Sequence, residues 1–364
     1  MKRVYHILTL AFLFMFSMNV SGYAQDDAEK EPVDVRGIVF GHIGDSYEWH
    51  VTDIGETSIH IPLPIIVYSQ STGWHVFMSS VLHHNGGVYE GLYIAPEDSP
   101  YAGKIVERNE AGEEIRPWDI SITKITFSML LNSLILIVIV LSAARWYKKR
   151  SKETASPGGF VGLIEMLIVT INDDVIKSGV GPNYRKFSPY LLSAFFFILI
   201  NNFMGLIPIF PGGANVTGNI AITFVLSVCS FIAINLFASR EYWKEIFWPD
   251  VPLWLKLPIP MMPFIEFFGV FIKPIALMIR LFANMLSGHM AILVLTCLIF
   301  IASSMGPVLF GSLTIASVVF SIFMNALEIL VAFIQAYVFT MLSAVFIGLA
   351  QPHHHEVEKV EEGN

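Results

Sequence analysis

Glu266, Lys273 and Arg280 recur at a spacing of seven inside a stretch, 259–305, that is otherwise almost wholly apolar. A charged side chain at bilayer depth costs about 2.5 kcal/mol or more, so such residues are rare there and usually functional. On a straight helix a step of seven residues turns back only about 20°. The three side chains therefore form one stripe, and Asn284, one turn past Arg280, continues it. His289 stands nine residues beyond Arg280, nearly on the opposite face. A second apolar stretch, 312–350, carries Asn325, Glu328 and Gln335. Glu328 and Gln335 are again seven apart, with Ala332 and Ala336 nearby, and small residues let a neighbouring helix approach closely.

These residue types divide the chemistry. Arginine does not lose its proton in proteins, so Arg280 can neither accept nor pass one. A fixed cation instead keeps a facing carboxylate ionised and bars another positive charge from slipping past. Arg280 is 17 residues beyond Pro263, and a helix rises about 1.5 Å per residue. It therefore sits well inside the low-dielectric slab, where reaching the headgroups is the poorer of two readings; Glu266 and Lys273, near a cytoplasmic end, could reach them. His289 and Glu328 read two ways: as a buried pair that satisfies itself, or as a proton-carrying pair, since histidine titrates near neutrality. No acid of this chain aligns with Arg280, so the carboxylate it serves is expected on another subunit. The pattern suits a stator that loads and unloads protons on a moving carboxylate.

Such residues need long helices, and the composition supplies them. The chain of 364 residues is 54% hydrophobic and 14% charged, with a mean hydropathy of +0.61. Several apolar stretches exceed the roughly 20 residues that span a bilayer, which excludes an ordinary soluble globular protein. The formal charge of −8 is concentrated in residues 25–120 and in the tail 351–364. Cys229 and Cys297 both lie in apolar segments and indicate no disulfide framework.

Residues 1–24 have the layout of a secretory signal peptide: Lys2 and Arg3, the apolar run ILTLAFLFMFSMNV, then SGYA before Gln25. A first membrane anchor is the other reading. Residues 25–120 open on DDAEKEPVDV, acidic and expected to be disordered. GIVFGHI, EWHVTDI, SIHIPLPIIVYS, WHVFMSSVLHH and GLYIAP then read as short strands of a β-rich extracytoplasmic domain. His42, His50, His60, His75, His83 and His84 fall there without tight ligand spacing, so scattered strand histidines are expected rather than a metal site.

The first span is expected at 125–144, with Arg145, Lys148, Lys149, Arg150 and Lys152 directly after it; by the positive-inside rule that end is cytoplasmic. Residues 158–179 are interrupted by Glu165, Asp173, Asp174 and Lys177 and suit an interfacial helix. Spans follow at 189–208 and 220–238, joined by the uncharged IFPGGANVTGN, and then at the two long segments. The latter exceed one perpendicular crossing, so strong tilt is expected. The predicted architecture is an all-α polytopic membrane protein: five transmembrane helices plus one interfacial helix, the last two long and strongly tilted. The small β-rich domain precedes it, 121–350 forms the membrane domain, and the tail 351–364 is cytoplasmic.

At KPIALMIRLFANMLSGH and EILVAFIQAYVFTML the sequence resembles the a subunit of the membrane sector of F-type ATP synthase; NNFMGLIP and NVTGNIAIT resemble its weaker third- and fourth-helix motifs. The resemblance covers about 121–350. It implies that Arg280 is the essential arginine facing the c-ring carboxylates, that Gln335 lies beside it, and that Asn284 stands one turn along. It implies further that His289 and Glu328 fill the two positions of the outer half-channel, histidine first. Glu266 then falls near the cytoplasmic half-channel, and Asn202 lines the outer path. Gly205 departs from the pattern, standing where some members carry an aspartate. The c-ring, peripheral-stalk b subunits and the lipid bilayer are the implied partners, in a bacterial inner membrane. No cofactor, metal or nucleic acid is expected, and no nucleotide-binding Gly-rich loop ending in Gly-Lys-Ser/Thr is present. The ion is expected to be H⁺. Two other readings stay open: a self-contained transporter using Arg280 as an anion site, for which no internal symmetry of the expected kind is visible, and a structural scaffold.

Overall fold

Alternation of apolar and polar residues builds one half of the molecule, and unbroken apolar length builds the other. The computed structural model describes residues 44–54, 57–84, 87–96, 98–109, 112–149, 158–207, 210–248, 261–302 and 307–351. The expected signal peptide 1–24, the acidic run 26–35, the GIVFGHI strand at 37–43 with His42, and the tail from 352 lie outside these residues.

The N-terminal strands are β1 (Glu48–Ile54), β2 (Thr57–Pro62), β3 (Pro64–Ser69) and β4 (Gly73–Met78). After the short helix α1 (Ser80–His84) come β5 (Val88–Tyr89), β6 (Leu92–Ile94), β7 (Ile105–Arg108), β8 (Glu114–Ile115) and β9 (Trp118–Asp119). Every pairing is antiparallel: a β1–β2 hairpin, a sheet in the order β4-β3-β9, and a sheet in the order β5-β6-β7-β8. Ile65 and Val67 of β3 point into a core with Phe77, Leu82, Leu92 and Ile105, as the two-residue period of a strand requires. The SSVLHH end of the fourth predicted strand is the helix α1 instead. Leu82 on that helix joins the core.

The domain is stitched to the first long helix, α2 (Lys124–Lys148). Lys124 N–H donates to the Ser46 carbonyl (2.8 Å) and Ile125 N–H to Asp45 Oδ1 (3.1 Å). These bonds satisfy amides that a helix start leaves without intrahelical partners. Trp49, buried, packs edge-on against Phe127 of α2 (6.0 Å between centroids) and against Phe210 (5.3 Å).

The helical part continues with α3 (Gly159–Thr170), a π-helical stretch Ile171–Lys177, and α4 (Ser178–Val180). Next come α5 (Tyr184–Leu206), α6 (Ile220–Leu236) and α7 (Arg240–Phe247). The last two helices are α8 (Met261–Ala302) and α9 (Pro307–Ala350), 42 and 44 residues long. At about 1.5 Å per residue each exceeds a hydrocarbon core of about 30 Å twofold. Among the described residues four helices (α2, α5, α8 and α9) are long and apolar enough to cross a membrane alone; α6 becomes a fifth candidate when taken with α7, from which it is bent by 101°. The bend has a local cause. Ser239 caps α7, its Oγ accepting from Tyr242 N–H (3.0 Å), and Tyr242 and Ile246 turn that helix's apolar face inward.

The segment 158–179, predicted to lie on the interface, buries Ile164, Ile171, Val175 and Ile176 and exposes Asp173, Asp174 and Lys177. Its far end meets the end of α9 through glycines. A Cβ at Gly348 would collide with the Gly179 carbonyl, and one at Gly179 would press on Ala344 at 3.0 Å. Two backbones therefore touch where side chains would hold them apart.

Candidate functional site

α8 and α9 pack side by side and bring His289 against Glu328. Nδ1 lies 2.5 Å from Oε1, with the two side chains 16% and 4% exposed. Nδ1 is also 3.1 Å from the Met285 carbonyl, and Nε2 is 3.2 Å from the Gly205 carbonyl. Both ring nitrogens thus face acceptors. A neutral imidazole has one N–H and can donate at one end only, whereas imidazolium donates at both. The 2.5 Å contact has the separation of an ion pair but not the alignment of a hydrogen bond. Both buried Glu328 oxygens are left without a hydrogen-bond donor. Buried acceptors in that condition are unusual and call for an explanation.

One glycine makes this packing close, and a second borders it. A Cβ at Gly288 would come 3.0 Å from Glu328 Oε1, so glycine there lets the carboxylate reach α8. A Cβ at Gly205 would lie 3.6 Å from His289 Nε2. The imidazole therefore borders the space beside position 205 at ordinary contact distance.

Asn202, predicted to line a path, is fully buried on α5. Its Nδ2 donates to the Ala332 carbonyl (3.0 Å), and its Oδ1 accepts from Thr217 (2.6 Å). Asn215 Nδ2 donates to the Met285 carbonyl (3.3 Å), the same oxygen that faces His289. Thr217 and Asn215 were not singled out from the sequence, which marked the connection as uncharged and NVTGNIAIT as a weak motif without giving either residue a role. The connection folds inward: Ala214, Val216 and Thr217 are buried, and a Cβ at Gly212 would strike the Ile207 carbonyl. The available signal was Asn-Val-Thr-Gly-Asn, a polar run between two apolar helices.

Arg280, Asn284 and Glu266 are exposed on α8. Ile279, the sequence neighbour of Arg280, is also exposed, at 52%. Among the described residues Arg280 makes no hydrogen bond or ion pair. Gln335 is buried on α9, with Ala332 and Ala336 fully buried beside it. Lys273 parts from the predicted stripe. It is half-buried and directs Nζ over the Phe346 ring of α9 at 5.4 Å. Asn325 bonds its own helix, to the Ser321 carbonyl (2.8 Å).

The structure thus joins His289, Glu328, Gly205, Asn202, Asn215 and Thr217, and leaves Arg280, Asn284 and Glu266 outside that cluster. Among the described residues no group of three or more His, Cys, Asp or Glu side chains is placed to hold a metal ion. In the β domain His75 lies between Glu90 and Thr72, at 2.6 Å from each.

Residues 127–348 match the family described as ATP synthase A chain, and residues 38–120 match a domain of unknown function. Among similar proteins, ATP synthase subunit a of Chlorobium phaeobacteroides is 43% identical over 247 residues, covering 66% of this chain and 68% of that protein. ATP synthase subunit a 2 of Chlorobaculum tepidum is 44% identical over 253 residues, covering 67% and 69%. ATP synthase subunit a of an Anaeromyxobacter species is 37% identical over 268 residues, covering 70% and 61%.

Proposed function

The chain belongs to the ATP synthase A chain family, proton-translocating subunits of the membrane sector, and from that membership we propose that it forms two half-channels serving a ring of carboxylates. Protons arrive from the extracytoplasmic side past Asn215, Thr217 and Asn202 and are relayed by His289 and Glu328. They then pass to a c-ring carboxylate, which moves away neutral through the lipid. After the ring turns, the carboxylate gives up its proton toward Glu266 and the cytoplasm. Arg280 keeps the carboxylate before it ionised and blocks a direct leak, with Gln335 beside it and Asn284 one turn along. The membrane domain crosses five times with its two long helices strongly tilted. The N-terminal domain is extracytoplasmic, the C-terminus is cytoplasmic, and the b subunits of the peripheral stalk hold the assembly against the torque.

The observation that carries this reading is the division of charge on α8. His289 is sealed against Glu328 at 2.5 Å, while Arg280, nine residues away, is bare on the exposed side. A self-sufficient buried network would pair all of its charges internally, whereas here one cation is left for something outside the chain. The test is Arg280→Ala in the assembled synthase, with ATP-driven proton pumping measured in inverted vesicles. Loss of pumping with assembly intact is the expected result; retained pumping refutes the proposal.

A further inference from the structure

We propose that the N-terminal β domain sets the outer end of the proton path, by clamping the 210–219 connection through Trp49. The proposal rests on the half-channel reading above and gives the domain a part in it. Trp49 lies on β1 and is 3% exposed. Its ring is held edge-on between Phe127 of α2 and Phe210, the first described residue of the connection. Aromatic pairs in this geometry add directional preference to their burial. The domain cannot drift from the span, because Lys124 N–H and Ile125 N–H bond back to Ser46 and Asp45. Ile120 N–H and Ile122 N–H extend the sheet along β3, to the Ile66 and Pro64 carbonyls.

Phe210 is thereby fixed at one end of a segment whose other residues reach the site. Five residues on, Asn215 donates to the carbonyl shared with His289; two further on, Thr217 donates to Asn202. The backbone between is closely tied, with Gly213 N–H bonded to the Met204 carbonyl (3.1 Å) and Gly218 N–H to Asn215 Oδ1 (2.8 Å). Little slack remains between the Trp49 contact and the two polar side chains. Trp49 is a positioning residue: it touches no proton carrier and acts through the chain that bears Asn215 and Thr217.

The test uses the intact synthase in native membrane vesicles, with passive proton conduction measured after the catalytic head is stripped. Trp49→Ala is expected to lower conduction roughly two- to tenfold, the range that loss of one aromatic pair produces in an equilibrium. Phe210→Ala should do the same, the double variant should fall no further, and Trp49→Phe should keep most of the rate. Amide exchange over 212–219 should accelerate in Trp49→Ala, which a purely local packing defect in the domain would not cause. Should Trp49→Ala fail to assemble, Phe210→Ala decides alone, by the fall in conduction together with faster amide exchange over 212–219. Wild-type conduction with unchanged amide protection, or additive losses in the double variant, overturns the proposal. Glu328→Gln separates the two levels. If it abolishes conduction while Trp49→Ala does not lower it, only the clamp fails; if it conducts normally, the half-channel reading fails and the clamp with it.

Discussion

Two places on α8, nine residues apart, hold a basic side chain in opposite ways. At His289 the side chain is enclosed, its carboxylate partner is 4% exposed, and the helices touch through Gly288. Arg280 is exposed and has no hydrogen-bond or ion-pair partner among the described residues. The first arrangement depends on this fold for its neutrality, and the second depends on what comes to meet it. Stability and function should therefore separate between the two sites.

The largest effect is expected from Arg280→Ala, which should abolish pumping while moving the unfolding midpoint of the detergent-solubilised complex by no more than about 2 °C, as expected for a surface substitution. A large loss of stability there would break the contrast. Glu328→Ala should cost both, because it leaves the buried His289 ring without its facing carboxylate; breaking such a pair typically costs about 3–5 kcal/mol. Replacing His289 and Glu328 together by leucine should restore most of that stability and none of the conduction. A double variant as unstable as Glu328→Ala would mean that the pair is not the unit described. Gly288→Ala sharpens the contrast on a smaller scale. The added methyl meets Glu328 Oε1 at 3.0 Å and should lower conduction several-fold, by roughly 1 kcal/mol or more. Gly269→Ala on the same helix, with nothing within 4 Å, should leave conduction unchanged and stabilise the helix by at most about 1 kcal/mol.

The smallest effect belongs to the β domain. Burial first, then the hydrogen bond to Asp119, raises the Tyr47 phenol above its ordinary range. Its neutral form is thus favoured in the folded state. The stability it contributes is complete below the unfolded pKa of about 10 and declines as pH rises beyond it. Thermal unfolding followed between pH 8 and 11 should show this decline, and Tyr47→Phe should flatten it. An equal alkaline slope in the variant would remove Tyr47 as the cause.

Helical geometry alone separated Arg280 from His289, because 100° per residue is a property of the backbone and needs no neighbours. The seven-residue spacing of Glu328 and Gln335 was legible for the same reason. Lys273 left its stripe because a long flexible side chain follows the nearest aromatic ring, and Phe346 is 73 positions away in sequence. Asn215 and Thr217 were hidden for a related reason. A polar connection normally runs over the surface, and only the glycine contacts at Gly212 and the bonds to Met285 and Asn202 carry it inward. The bend between α6 and α7 hangs on one serine cap, a signal that is common in sequences and rarely decisive.

The glycine crossing at 179 and 348 fixes a length. Twenty residues of α9 separate Gly348 from Glu328, about 30 Å of helix. With one end pinned by backbone contact, the last helix works as a ruler that sets the depth of its carboxylate. One inserted residue between the two marks would raise Glu328 by about 1.5 Å and swing it through about 100°, away from His289. The number of residues between the two marks thus matters independently of which residues they are.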